Sequence, residues 1–206
     1  MSIVKLSNNG VKNATAFGSI SALGSMTFIK KLTADGSGDN LTFVDGASSV
    51  VLDNTYTEYL FTFNNMHPAT DGASFSVNFR DGGSSYDATK TTTNFRAYHD
   101  ESDSGTSLGY YGDEDLAQST AVQIIGRQVG NGNDECCAGT LHLFNPSSTT
   151  FVKNFMVNSN VYEDSNYFVN YYLAGYCNVT AAIDAVQFKF SSGNIDAGDI
   201  CLYGIS

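Results

Sequence analysis

Tryptophan is absent from this sequence, proline occurs twice and cysteine four times. Without tryptophan, any sugar-stacking platform has to be built from tyrosine or phenylalanine. Scarce proline beside 20 glycines means that the turns rely on backbone freedom, not on a fixed φ. The cysteines, Cys136, Cys137, Cys177 and Cys201, form no CxxC unit, which excludes the common zinc spacings. Cys201 lies in an apolar strand pattern and reads as core, whereas Cys136-Cys137 lies in a polar loop with potential reactivity. No apolar run approaches the roughly 18 residues of a membrane-crossing helix. Charge is also sparse: 15% of residues carry it, with 10 Lys and Arg against 21 Asp and Glu, for a net charge of −11. Such a body repels phosphate backbones and anionic lipid, so neither nucleic acid nor membrane is an expected partner.

What remains is 42% hydrophobic and 13% aromatic, enough for one conventional core in 206 residues. Residues 1–25 are small and polar, with a turn signal at Ser7-Asn8-Asn9-Gly10, and read as an N-terminal arm or linker. Met1 leads into Ser2-Ile3-Val4-Lys5 without a basic segment followed by an apolar one, so synthesis in a cytoplasm and release by lysis are expected.

From Met26 onward the period-two alternation of half-buried strands recurs, most plainly in Ala73–Arg80. Further strands are expected within Met26–Leu32, Asn40–Val44, Tyr59–Phe63, Asn94–Tyr98, Thr140–Phe144, Phe151–Val157, Tyr171–Cys177, Ala185–Phe190 and Ile200–Ile205. Turn signals such as Asp45-Gly46, Asp71-Gly72 and Ser192-Gly193-Asn194 separate them. One short helix is expected within Asp113–Ile125. The pattern predicts an all-β fold, a single antiparallel β-sandwich of jelly-roll or lectin type over 26–206. A parallel β-helix would need a fixed repeat of about 20 residues, and none is present.

The residues offer little catalysis. His67 and His99 stand at strand ends and His142 on a sheet face, but no Gly-x-Ser-x-Gly elbow accompanies them. Acidic loops at Asp100–Asp103, Asp113–Asp115 and Asn131–Glu135 have the oxygen-rich character that calcium favours. Asp100, Asp103, Asp113 and Asp115 are the candidate ligands, although no EF-hand pattern exists. A glycosidase pair would need two rigid carboxyls facing each other across a groove. Tyr110, Tyr111, Asn131 and Asn133 are the candidate glycan- or partner-binding residues, with Tyr162, Tyr167, Tyr171 and Tyr172 as further aromatic surfaces.

Several segments carry a resemblance: Ile3–Phe17, Phe63–Gly72, Phe95-Arg96-Ala97-Tyr98-His99, Gly139–Ser148, and the closing Ile183–Ile195 with Leu202-Tyr203-Gly204-Ile205. Together they resemble small virion-associated proteins of marine bacteriophages, including those infecting cyanobacteria. The resemblance implies a structural part of a virion, a capsid decoration or tail-fibre module without a defined catalytic set. The expected partners are other virion proteins and copies of itself, with a homotrimer as the symmetric form. Cys136-Cys137 departs from the family pattern. The alternative expectation is a host-glycan-binding module, with calcium as an optional ligand and no other cofactor.

Overall fold

The structure, a computed structural model, describes residues 25–206; the arm expected at 1–25 lies, apart from Ser25, outside them. Among the described residues twelve strands form two antiparallel sheets packed as a sandwich. They are β1 (Met26–Thr33), β2 (Asn40–Val44), β3 (Glu58–Pro68), β4 (Ala73–Arg80), β5 (Lys90–Asp100) and β6 (Thr106–Tyr110), then β7 (Gln123–Val129), β8 (Cys137–Phe144), β9 (Lys153–Tyr162), β10 (Tyr167–Cys177), β11 (Ala185–Phe190) and β12 (Ile195–Ile205). The larger sheet runs β1-β12-β3-β8-β9-β10-β5-β6 and the smaller runs β2-β11-β4-β7.

Alternation explains which face turns inward. On β4, Phe75, Val77 and Phe79 are buried, and on β9 so are Phe155, Val157 and Val161. Phe43, Phe61, Phe63, Phe75 and Phe188 meet between the sheets, Phe43–Phe61 edge-on at 5.3 Å and Phe63–Phe75 at 5.4 Å. Each buried phenylalanine contributes on the order of 2–3 kcal/mol of transfer free energy. Close packing of neighbouring strands within the larger sheet depends on Gly139: a Cβ there would stand 2.8 Å from the Phe63 ring and 2.3 Å from the Asn158 carbonyl oxygen. Where β3 and β12 slip register, Gly198 takes φ +122°, a conformation open to glycine and strained for other residues.

Three expectations need correction. The segment read as a short helix within Asp113–Ile125 holds a single 3-10 turn, Gly112–Glu114, and then the start of β7. Tertiary pairing of β7 with β4 overrides the weak local helical pattern. Cys201 is not core: its neighbours Ile200 and Leu202 point inward, so alternation puts Cys201 on the outer face, opposite Lys31 and Thr62. Cys136-Cys137 is less exposed than a polar loop suggests, with Cys137 buried at the start of β8 and Cys136 half-buried. Burial pushes both thiols up, which keeps them protonated and poorly nucleophilic.

Candidate functional site

Among the described residues, covering an eight-stranded sheet with a four-stranded one buries only one of its faces. The other face carries an aromatic and aliphatic surface. Registration aligns Phe28, Tyr203, Leu60, His142, Met156, Ala174 and Thr93 in one row across seven strands. A neighbouring row brings Thr140, Asn158, Tyr172, Phe95 and Tyr110 together. Phe28, Phe95, Leu108, Tyr110, Met156, Phe168 and Tyr172 are all exposed, from 43% to 72%. Phe95 and Tyr172 stack with centroids 5.0 Å apart and planes 10° from parallel. Next to them lies a depression of about 500 Å3, bordered by Thr93, His142, Met156, Asn158 and Ala174.

The chemistry of this face is defined by what it leaves out. The outward positions of β8, β9, β10, β5 and β6 contain no Asp, Glu, Lys or Arg, although the chain has 21 acidic residues. His142 borders the depression, and its Nδ1 is 2.5 Å from Glu58 on β3. Polarity comes from amides: Asn170 donates its side-chain N–H groups to Asn158 and Asn160 at 2.9 and 2.7 Å. Exposed apolar area of this continuity is unusual on a chain that stays alone in water.

The acidic loops behave differently. Asp100 is 8% exposed and accepts hydrogen bonds from the hydroxyls of Ser102 and Ser104 and from the backbone N–H of Ser104 and Gly105. The Ser104 hydroxyl, then the Gly105 N–H and the Ser102 hydroxyl, hold its carboxyl well below the usual carboxylate range. It shapes a turn. Asp103 reaches His99 instead, at 3.2 Å. Asp113 is exposed in the 3-10 turn, and Asp115 accepts the Tyr110 hydroxyl. Among the described residues, no three His, Cys, Asp or Glu side chains come together as a metal-holding group.

The candidate binding residues do not share one site. Tyr110 belongs to the apolar face, opposite Phe95 halfway along β5. Asn131 and Asn133 lie beyond the end of β7, where the Asn131 N–H donates to Asp71 and Asn133 borders a shallow depression with His67, Glu135 and Asp196. Tyr111 is half-buried on the inner side, its ring covered by the Arg96 guanidinium at 3.8 Å and approached by Arg127 at 5.7 Å. There it joins an inter-sheet polar network. Tyr171 donates its hydroxyl to Glu163 at 3.0 Å, Arg96 stands 3.7 Å from Glu163, and Arg127 stands 3.6 Å from Glu114. Burial raises both carboxyls, Glu163 and Glu114, above their ordinary value.

Sequence reasoning passed over Met156, Phe168 and the pairing of Phe95 with Tyr172. A signal was present: no Asp, Glu, Lys or Arg occurs from residue 137 to 152, from 154 to 162, or from 167 to 183. Strands apolar on both faces, in a sheet with cover for one face only, leave one apolar face open. No family model matches the chain, and comparisons with curated proteins and with solved structures give no match.

Proposed function

We propose that the chain is a non-enzymatic structural module of a bacteriophage particle, a capsid decoration or tail-fibre part that assembles with copies of itself. The observation that carries the assembly reading is the outer face of the larger sheet, apolar and free of Asp, Glu, Lys and Arg over five adjacent strands. Copies carrying a net charge of −11 repel one another everywhere except where charge has been removed. Size supports the same reading. Five strands, each taking up about 4.8 Å of width and averaging about nine residues at about 3.3 Å each, make a face of roughly 700 Å2. That matches the order of 800 Å2 per partner that stable interfaces bury. The virion setting draws on the sequence resemblance, and a trimer is the expected closed form.

Sedimentation velocity on the purified protein tests the assembly reading, with a discrete oligomer expected at micromolar concentration. Cryo-electron microscopy of intact particles, counting copies on shell and tail, tests the setting. A protein that stays monomeric at high concentration and is absent from particles overturns the proposal.

A second reading, a host-glycan-binding module, draws on the Asn158, Asn160 and Asn170 amides beside the exposed Phe95 and Tyr172 rings. Amides next to aromatic edges are the groups that sugar hydroxyls and ring faces engage. A glycan array probed with and without calcium separates the two, since the assembly reading expects no signal in either condition.

A further inference from the structure

Lys90 opens β5 in the larger sheet and is fully buried, and Asn78, on β4 of the smaller sheet, is 5% exposed. The Lys90 amine lies 2.6 Å from Asn78 Oδ1 and 2.8 Å from the Ala88 carbonyl oxygen. Among the described residues it forms no ion pair with a carboxylate. A buried ammonium without a counter-charge is expensive, and the usual relief is loss of the proton. Burial indeed draws this amine below its ordinary value, toward the neutral form. The neutral form of lysine is a nucleophile.

The amide facing it is prepared for attack. Asn78 Oδ1 also accepts the Phe79 backbone N–H at 3.0 Å, so a fixed donor points at the oxygen on which negative charge would develop. The Asn78 Nδ2 group is held on its far side by the carbonyl oxygens of Tyr86 and, at 3.5 Å, Thr120. The amide thus cannot swing away from the amine. The Asn78 carbonyl carbon is one bond beyond the oxygen that Lys90 touches, so the attacking and attacked atoms are held side by side.

We propose that Lys90 and Asn78 join in an intramolecular isopeptide bond that staples the two sheets together. The Lys90 Nζ forms a bond to Asn78 Cγ, the Cγ–Nδ2 bond breaks, and a proton passes from Nζ to the departing nitrogen. One ammonia leaves and nothing is oxidised or reduced, so no co-reactant is needed. Lys90 shares the larger sheet with Cys177 and Lys153, its cross-strand neighbours in succession. Lys153 instead donates to the carbonyl oxygens of Val179 and Ala181 and, among the described residues, bonds to no side-chain amide, so the reaction belongs to Lys90 alone of the two. Among the described residues, no carboxyl group is hydrogen-bonded to the pair to act as a general acid. The step is therefore slow, and completes during storage of the folded protein.

Intact-mass spectrometry of the folded protein, fresh and after prolonged incubation at mildly alkaline pH, tests this. The expected product is lighter than the sequence mass by one ammonia. A succinimide at Asn78 would have the same mass, so trypsin distinguishes them. An isopeptide blocks cleavage after Lys90 and ties peptide 81–96 to peptide 32–80, as one branched species. Asn78→Ala and Lys90→Met should both keep the full sequence mass. Wild-type protein that retains its sequence mass after incubation, or is cut after Lys90 into separate peptides, overturns the proposal, whether or not either variant folds.

Discussion

The guanidinium of Arg96 covers the face of Tyr111 at 3.8 Å and at the same time stands 3.7 Å from the carboxylate of Glu163. One side chain thereby fastens the loop after β6 to the β9–β10 turn, beneath the larger sheet. Removing it in Arg96→Ala leaves Glu163 buried without its cation. A loss of roughly 2–4 kcal/mol is expected, in the lower part of the range for buried pairs because Arg96 keeps some exposure. Urea unfolding measures it, and a double variant Arg96→Met with Glu163→Gln should recover part of the loss.

Glu163 also sets a pH dependence. Burial raises its folded-state value above the unfolded one, so the folded protein holds this proton more tightly. Its contribution to stability is greatest below the unfolded value and declines as pH rises through the window up to the raised folded value. Glu163→Gln should flatten that part of the stability profile, as read from urea midpoints over a pH series. An unchanged slope would mean that Glu163 does not titrate there.

Asp100 acts with the opposite sign. Its hydrogen bonds lower the folded-state value, so it stabilises the fold above the unfolded carboxylate value of about 3.9 and loses this effect as pH falls toward the lowered one. Asp100→Asn should be less stable than wild type at neutral pH and show a shallower loss on acidification. Acid titration followed by circular dichroism gives both quantities.

The space under Phe63 predicts a steric effect. Gly139→Ala places a methyl group within 2.8 Å of that ring and against the Asn158 backbone, which cannot shift without disturbing β9. A destabilisation of about 1–3 kcal/mol, at the overpacking end of the range, is expected in thermal or urea melts. Gly139 does not have a positive φ, so the loss reports the contact and not backbone strain.

On the outer face, Tyr172→Lys and Met156→Lys introduce charge into the uncharged centre. Both should fold with melting behaviour near wild type, because their side chains are exposed. Both should sediment as monomers at concentrations where the wild type is oligomeric. A variant that associates as strongly as wild type would remove this face from the assembly.

Much of the strand content was determined by the sequence alone, because alternation is local. Asn40–Val44, Ala73–Arg80 and Ala185–Phe190 have the bounds their patterns predict, and most other strands extend the expected segments by a few residues. Asp71-Gly72 and Ser192-Gly193 likewise place glycines at positive φ where turns were expected. Two strands escaped: Thr106–Tyr110 is exposed along its whole length, and Gln123–Val129 contains a bulge and a buried Gln123 that disrupt its alternation. Which side of a strand faces the core was beyond the sequence wherever both sides are apolar, as with Tyr171 and Tyr172 on β10. Alternation has two equivalent phases, and only the second sheet chooses between them. The same choice put Tyr111 under Arg96 and left Tyr110 in solvent, one residue away. Inter-sheet meetings such as Lys90 with Asn78 join residues from separate sheets, and the two-layer packing decides which face of the larger sheet the described residues leave open; only the tertiary structure could decide either.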